Sequence, residues 1–284
     1  MFVADNRLST AKNYFYNELN ASFTPSECKS MWYSVLLKFF GWSGSEILLK
    51  SEERLSESDL LRIRSVVKRL QGNEPFQHIM GSVYFADIEL MIDSRALIPR
   101  PETEELVACI ANLPIEFESI LDLCTGSGCI ALALKNIYHR ARTIGIDDSI
   151  DAIHLARQNA ASTGLDVDFQ QANIFEWQPT ELFDLLVSNP PYIPDNEAIG
   201  MASHVLNFEP HMALFVPDDD PMLFYRRIVQ LALSNLKSEG YLALEIHENK
   251  AKETLELLDS KQFKKRDIIV DLQGKHRMIL AQKS

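Results

Sequence analysis

The chain has 284 residues, of which 46% are hydrophobic and 24% charged, and its formal net charge at pH 7 is -12. This length favours two domains, and the acidic balance argues against an extended basic groove for a nucleic-acid backbone. The four cysteines and seven histidines lack the spacing of metal ligands, so we expect no metal. The first residues are polar where an export signal would be apolar, and no apolar run reaches the roughly twenty residues of a membrane span, so we expect a cytoplasmic protein that binds no membrane.

Residues 1–74 are predicted to form a small helical domain. Leu60, Ile63, Val67 and Leu70 recur at three- and four-residue steps, which is the spacing of one helix face directed into a core. The segment that begins with Thr24 is typical of a helix start, because a proline suits the first turn of a helix.

Residues 75–100 are predicted to form a β-hairpin that links two domains. The helical pattern ends at Gly72-Asn73-Glu74-Pro75, which is typical of a chain break. Ile88, Leu90 and Ile92 then alternate with acidic residues, as in a strand with one buried face.

Residues 101–284 alternate between apolar strand-like segments and helical segments, which indicates a parallel sheet wrapped by helices. The last two strand-like runs, residues 266–272 and 277–282, are separated by a short turn that contains Gln273-Gly274-Lys275, so we expect an antiparallel hairpin. A Rossmann-like, doubly wound α/β sheet that ends in such a hairpin is the layout of the class I methyltransferases. Nicotinamide-binding sheets usually remain parallel to the edge.

A glycine loop follows the first strand of this predicted sheet and precedes a helix. The glycines let a ligand approach the backbone closely. About twenty residues later Asp147 ends the second strand, where a carboxylate can accept hydrogen bonds from both ribose hydroxyls of an adenosine. The glycine pattern also fits a dinucleotide site, and Asp147 has the alternative role of a solvated residue that caps the next helix. The loop residues are Cys124, Thr125, Gly126, Ser127 and Gly128.

The third strand ends near Asn173 and Ile174, at the position where methyltransferases commonly hold adenine. We expect Asn173 to bond the amino edge of the adenine and Ile174 to contact its face. Many relatives of this fold have aspartate where Asn173 stands.

The most specific motif is Asn189-Pro190-Pro191-Tyr192, which directly follows an apolar strand. An amide nitrogen is a poor nucleophile, so an enzyme that methylates it must hold both N–H bonds. The side-chain oxygen of Asn189 and the backbone carbonyl of Pro190 can accept them, while the proline rings stiffen the turn. Tyr192 can stack on a planar amide or base. The alternative is a tight turn with no chemical role.

On these residues the chain resembles the peptide chain release factor glutamine methyltransferases, which modify the glutamine of the GGQ tripeptide in bacterial release factors. The resemblance extends over essentially the whole chain. Its further matches are Gly81-Ser82-Val83-Tyr84-Phe85, residues 97–104, Phe208-Glu209-Pro210 and Gly274-Lys275-His276-Arg277.

The resemblance implies that S-adenosylmethionine (AdoMet) binds to Cys124 through Gly128 and to Asp147, close to Asn189. It implies that residues 189–192 bind the glutamine and that Phe85 and residues 97–104 wall its pocket, with Arg100 organising the adjoining loops. Cys124 departs from the family pattern, in which glycine is frequent at this position.

We therefore predict methyl transfer from AdoMet to the side-chain amide nitrogen of the release-factor glutamine, with Asn189, Pro190 and Tyr192 as catalytic residues. The helical domain, residues 1–74, is expected to dock the protein substrate on the methyltransferase domain, residues 101–284. The alternatives are glutamine methylation of a ribosomal protein, methylation of an adenine amino group in nucleic acid, and a nonenzymatic AdoMet-binding or nicotinamide-binding module.

Overall fold

The computed structural model describes residues 3–284, which divide into two compact units. The first contains the described residues up to Gly81 together with Ser203–Phe208, and the second contains Ser82–Ala202 and Glu209–Ser284. The division falls later than the predicted boundary at residue 74, because a short helix at Phe76–Met80 groups with the first unit. Residues 75–100 are thus divided between the two units rather than forming a linker of their own.

Helices occur along the whole of residues 3–284, whereas the strands begin at Ser82. The α-helices are α1 (Leu8–Leu19), α2 (Pro25–Phe40), α3 (Gly44–Leu49), α4 (Glu57–Gln71), α5 (Phe76–Met80), α6 (Pro101–Ala111), α7 (Cys129–Ile137), α8 (Ile150–Thr163), α9 (Ser203–Phe208), α10 (Leu223–Asn235) and α11 (Ala251–Glu256). The strands are β1 (Ser82–Phe85), β2 (Ile88–Met91), β3 (Ser119–Leu123), β4 (Arg142–Asp147), β5 (Asp168–Gln171), β6 (Phe183–Ser188), β7 (Ile193–Pro194), β8 (Phe215–Val216), β9 (Leu236–Glu245), β10 (Phe263–Val270) and β11 (His276–Lys283).

The first unit is a helical bundle with its own apolar core. The apolar face predicted for α4 is buried, since Leu60, Ile63, Val67 and Leu70 are each at most 2% exposed. Helix α2 begins where predicted, because the hydroxyl of Thr24 accepts the Glu27 N–H and the Glu27 carboxylate accepts the Thr24 N–H. This reciprocal arrangement satisfies amide groups that the first turn of a helix leaves free.

The second unit contains a seven-stranded sheet in the order β10-β11-β9-β6-β3-β4-β5. The pairs from β9 through β5 are parallel, whereas β11 runs antiparallel to both β9 and β10. Alternate strand residues enter different cores: Ile120 packs with α6, α7 and α8, and Leu121 packs with α10 and α11. The predicted doubly wound sheet with a closing antiparallel hairpin is confirmed.

One buried amide joins the hairpin of β1 and β2 to the glycine loop (residues 124–128). The Asn159 side chain, which is fully buried on α8, accepts the Met91 N–H at 2.7 Å and donates to the Met91 carbonyl at 3.1 Å. It also donates to the Ser127 carbonyl at 2.9 Å. The hairpin is therefore fixed against the loop that lines the candidate site.

Within residues 3–284, no helix combines the length and the apolar composition that a membrane crossing needs.

Phe169 on β5 fills the space that two glycines leave open. A Cβ atom on Gly145 would lie 2.6 Å from the Phe169 ring and 2.8 Å from the Thr125 hydroxyl, which is closer than packed atoms approach. We expect Gly145→Ala to lower the free energy of unfolding by about 1–3 kcal/mol, because overpacking forces backbone or rotamer shifts. The midpoint of urea unfolding measures this effect.

Gly200→Ala is the matched control for Gly145→Ala, since a Cβ atom there would meet no atom within 4 Å. It should change the free energy of unfolding by less than about 0.5 kcal/mol. Equal stability of the two variants would contradict the packing role of Gly145.

Candidate active site

A cavity of about 280 Å³ lies where β3, β4 and β6 end in the second unit. Sheets of this kind bind ligands at the carboxyl ends of their strands. Most of the sequence-predicted site residues line it: Cys124, Thr125, Gly126, Ser127, Asp147, Asn173, Ile174, Asn189 and Pro191. Gly128, Pro190, Tyr192 and Phe85 are not on its wall.

The two predicted glycines have different reasons to be glycine. Both have left-handed backbone, with φ 55° at Gly126 and 81° at Gly128. Gly126 lines the cavity, and a Cβ there would meet no atom within 4 Å, so its backbone is open to a ligand. A Cβ on Gly128 would lie 2.7 Å from the Phe169 ring. Gly128 is therefore required by internal packing, and its contact with a ligand stays a prediction.

Cys124 also has left-handed backbone, with φ 60°, and it is half-buried at the edge of the cavity. This conformation costs a residue with a Cβ roughly 1–2 kcal/mol. Its side chain packs against the core formed with α10 and α11, and burial raises the pKa of its thiol well above the ordinary value. The thiol is thus neutral and belongs to the packing beneath the loop.

Asp147 anchors the glycine loop to the end of β4. Its Oδ2 atom accepts the Gly126 N–H at 2.9 Å, and its Oδ1 atom accepts the Ser149 N–H at 2.9 Å. The N-cap of α8 is Ser149, whose hydroxyl accepts the Ala152 N–H, so Asp147 is not the helix cap. Burial raises the pKa of Asp147. Each carboxylate oxygen keeps a second lone pair that a hydroxyl ligand can use.

Asp122, which no sequence motif indicated, orders the glycine loop from below. It is fully buried in β3, and its Oδ2 atom accepts the Thr125 hydroxyl at 2.5 Å and the Ala131 N–H at 3.2 Å. Burial raises the pKa of Asp122 to about 7. Its signal in the sequence was a single acid inside an apolar strand immediately before a glycine turn.

The other end of the cavity is aromatic, which the sequence reasoning did not anticipate. Phe175 and Phe224 both line the cavity and meet edge to face, with ring centroids 5.1 Å apart. Beside them Ile174 is buried, while Asn173 accepts the Phe175 N–H through its Oδ1 atom and donates to Asp148. This end offers flat apolar faces with amide and carboxylate groups at the rim, which suits a purine.

The proline loop (residues 189–192) leaves the sheet directly after β6. Asn189 is half-buried and lines the cavity, whereas Pro190 is buried behind it. The N–H of Tyr192 donates to the Leu214 carbonyl at 3.3 Å, which holds the end of the loop. The Tyr192 hydroxyl donates to Glu245 at 3.1 Å, so the phenol is anchored and lies off the cavity wall. Its stacking role stays a prediction.

Two buried residues connect to this loop: Thr103, which lies in the run 97–104 that the resemblance placed at the pocket and which lines the cavity, and Glu245, which no sequence motif indicated. Thr103 donates its hydroxyl hydrogen to Glu245 at 2.7 Å, and the side-chain nitrogen of Asn189 donates to the Thr103 hydroxyl oxygen at 3.3 Å. Thr103 and Glu245 are 2% and 1% exposed. Burial raises the pKa of Glu245, although the hydrogen bonds from Thr103 and Tyr192 act in the opposite direction.

The structure places Phe85 in the core and not on the cavity wall. It is 1% exposed and packs in the cluster that contains Ile88 and Leu90. The turn after Phe85 is hydrogen-bonded to α6, because the Glu104 carboxylate accepts the Ala86 N–H at 3.1 Å. The expectation that Phe85 walls a substrate pocket is therefore corrected, since the hairpin turns this ring inward.

Arg100 joins two segments that border the cavity. Its guanidinium donates to Glu209 Oε1 at 2.6 Å, while Glu209 Oε2 accepts the Ile98 N–H at 3.1 Å. The Glu209 side chain is fully buried and that of Arg100 is 33% exposed. The ion pair thus lies largely out of solvent and holds residues 98–100 against residue 209, in line with the role that the resemblance implied for Arg100.

We expect Arg100→Met to lower the free energy of unfolding by about 1–3 kcal/mol, because it leaves the Glu209 charge buried without its partner. The double variant Arg100→Met/Glu209→Gln should recover about 1 kcal/mol relative to the sum of the single effects. Denaturant unfolding of the four proteins measures both values. Arg226→Met, in the exposed ion pair of Arg226 with Asp220, is the matched control. It should lower the free energy of unfolding by less than about 1 kcal/mol. Strictly additive effects at residues 100 and 209 would contradict the coupling.

Comparison with known proteins assigns the chain to a family. Residues 102–208 match the family described as Methyltransferase small domain, and residues 12–81 match the PrmC N-terminal domain. Among solved structures, a methyltransferase from Pyrococcus furiosus is 14% identical with a TM-score of 0.52, covering 81% of this chain and 100% of that one. The T. thermophilus 16S rRNA N2 G1207 methyltransferase is 17% identical with a TM-score of 0.52, covering 72% and 50%. These two structures support the class I methyltransferase fold.

Two relatives share most of their length with this chain. The release factor glutamine methyltransferase of Flavobacterium psychrophilum is 38% identical over 277 residues, covering 94% of this chain and 97% of that protein. The release factor glutamine methyltransferase of Bacteroides thetaiotaomicron is 33% identical over 270 residues, covering 94% and 97%. The chain is therefore a methyltransferase and belongs to the release factor glutamine methyltransferase family.

Proposed function

We propose that this enzyme transfers the methyl group of AdoMet to the side-chain amide nitrogen of the glutamine in the GGQ tripeptide of peptide chain release factors. The observation that carries this proposal is that Asn189 and the glycine loop line one cavity. A methyl-accepting amide held by Asn189 is thereby brought next to a methyl donor bound along the glycine loop. The names of full-length relatives support the release factor as substrate.

The residues around the cavity fit AdoMet. The open space at Gly126 accommodates a ligand against the loop backbone, and the spare lone pairs of Asp147 suit ribose hydroxyls. Ile174, Phe175 and Phe224 provide the apolar faces that an adenine needs. When bound, AdoMet supplies an electrophilic methyl group on a sulfonium centre.

The chain's own contribution is to orient the acceptor amide. The lone pair of an amide nitrogen is delocalised into its carbonyl, so it reacts only when both N–H bonds are held and the pair is aimed. The side-chain oxygen of Asn189 and the carbonyl of Pro190 are the two acceptors, and Tyr192 stacks on the amide plane. As the nitrogen becomes pyramidal, these hydrogen bonds strengthen and favour the transition state over the ground state.

The helical unit contributes the recognition of the protein substrate. It has its own core, and none of its residues from position 3 onward is on the cavity wall. The family described as PrmC N-terminal domain matches residues 12–81 of it, which supports a role shared by relatives that act on the same substrate. Release factors are thus the partners that we assign to this chain, and they bind through the domain that carries the GGQ tripeptide.

Asp147→Ala should weaken AdoMet binding, because each charge-assisted hydrogen bond to the ribose contributes roughly 1.5–3 kcal/mol. Titration calorimetry on the folded variant measures the change. Asp147→Asn is the matched control, since it retains one acceptor oxygen and should lose less affinity. If Asp147→Ala binds AdoMet as tightly as the wild type, the carboxylate only anchors Gly126 and Ser149.

Asn189→Ala should slow methylation on the order of a hundredfold or more, the range typical of losing one preorganised transition-state hydrogen bond. Asn189→Asp retains an acceptor oxygen of nearly the same size and should keep more activity than alanine. Single-turnover labelling of a release factor at saturating AdoMet measures both rates.

The control for this assay is a release factor whose GGQ glutamine is replaced, which should take up no label. A wild-type rate for Asn189→Ala would refute the amide-holding mechanism. Labelling of the control protein, or of ribosomal protein or nucleic acid in its place, would refute the assigned acceptor.

A further inference from the structure

Four side chains from three segments of the second unit form one hydrogen-bonded chain that begins at the cavity wall. Asn189 donates to Thr103 at 3.3 Å, Thr103 donates to Glu245 Oε2 at 2.7 Å, and the Tyr192 hydroxyl donates to Glu245 Oε1 at 3.1 Å. Thr103 lies in the first turn of α6, and Glu245 is the last residue of β9. Glu245 thus connects to both ends of the proline loop, directly at Tyr192 and through Thr103 at Asn189.

The direction of these hydrogen bonds is set at the Glu245 carboxylate. In the structure both Glu245 oxygens accept, Oε2 from the Thr103 hydroxyl and Oε1 from the Tyr192 hydroxyl. A hydroxyl has a single hydrogen, and that of Thr103 is committed at 2.7 Å. The remaining lone pairs of the Thr103 oxygen can then only accept.

The side-chain amide of Asn189 has a donor end and an acceptor end, and only the donor end can face an accepting oxygen. The Nδ2 atom of Asn189 is the end that contacts Thr103. If the Asn189 amide were reversed, its Oδ1 atom would face the Thr103 oxygen, whose hydrogen is already donated to Glu245. Within residues 3–284, no hydrogen bond uses the Oδ1 atom of Asn189. That oxygen is therefore free to accept an N–H from a ligand.

We propose that Glu245 and Thr103 are positioning residues for the methyl transfer, which hold Asn189 with its side-chain oxygen free for the acceptor amide. This inference rests on the proposed function, because it assigns a task to that oxygen. Stability alone does not account for Glu245, since a buried carboxylate is costly and a neutral side chain of the same size fits the same space. The two ion pairs of the nearby Arg277 are made with Glu248 and Asp271, not with Glu245. A glutamine could donate as well as accept and would not fix the direction.

The kinetic test compares Glu245→Gln and Thr103→Val with two controls. Both variants should slow single-turnover methylation by about 10- to 100-fold, the usual cost of losing a group that orients a reacting residue, while the affinity for AdoMet stays unchanged. Thr103→Ser keeps the hydroxyl and should restore most of the rate. Thr254→Val removes a hydroxyl that is equally buried but bonds only the Lys250 carbonyl, and it should leave the rate unchanged.

A second comparison separates positioning from a general loss of structure. In an Asn189→Ala background, Thr103→Val should cause no further loss of rate, because Thr103 acts through Asn189. Losses that multiply with that of Asn189→Ala would overturn the proposal. A wild-type rate for Thr103→Val would also overturn it.

The proposal has a readout that needs no acceptor protein. The side-chain amide signal of Asn189 in ¹H–¹⁵N spectra, assigned by its disappearance in Asn189→Asp, should shift in Thr103→Val and Glu245→Gln and stay in place in Thr254→Val. An unmoved signal in both variants would overturn the positioning role. Absence of release-factor labelling by the wild type would instead refute the proposed function, so the two failures are distinguishable.

Discussion

The parallel register of β3, β4, β6 and β9 is the constraint on which the site depends. Leu123 is aligned with Ile146 on one side and with Ser188 on the other, and Ser188 is aligned with Leu244. The residues that follow these positions therefore leave the sheet along a single edge. Segments far apart in the sequence converge there because hydrogen-bonded strands cannot shift by one residue without turning their buried side chains outward.

Carboxylates inside the protein hold the loops that this edge produces. Asp122 and Asp147 hold the glycine loop, Glu209 holds the segment at Ile98, and Glu245 holds the proline loop. Each accepts at least two hydrogen bonds, and burial raises the pKa of Asp122, Asp147 and Glu245. The acids that line and support the cavity thus work as fixed acceptors, and their number contributes to the acidic balance of the chain.

Packing beneath the site sets which side chains the loops can carry. The ring of Phe169 occupies the space beside Gly128 and Gly145, so neither position accepts a Cβ atom without movement. Cys124 tolerates a left-handed backbone because its side chain reaches the core next to α10 and α11. A glycine in a ligand-binding loop can therefore be required by core packing rather than by the ligand, as Gly128 is in this protein.

Local sequence patterns predict the order of strands and helices, the start of α2, the buried face of α4 and the closing hairpin of β10 and β11. These features follow from local periodicity and turn residues, which neighbouring positions encode. The sequence also indicated the loop residues around Gly126, Asp147 and Asn189, because they follow strands whose ends must meet. The division of residues 75–100 between two units did not follow from any local pattern, since it depends on which core each segment packs against.

The roles of residues whose partners are distant in the chain depend on the folded arrangement of the helices and strands. Thr103 belongs to the run 97–104 that the resemblance indicated, whereas Glu245 has no motif of its own. Their contacts with the proline loop arise because α6 and β9 bring them to it. Phe85 was predicted at the cavity, but the turn of its hairpin directs it into the core. Spacing along a chain encodes which residues leave the same edge of a sheet, whereas the direction of a hydrogen bond or of a ring depends on packed neighbours that the spacing does not specify.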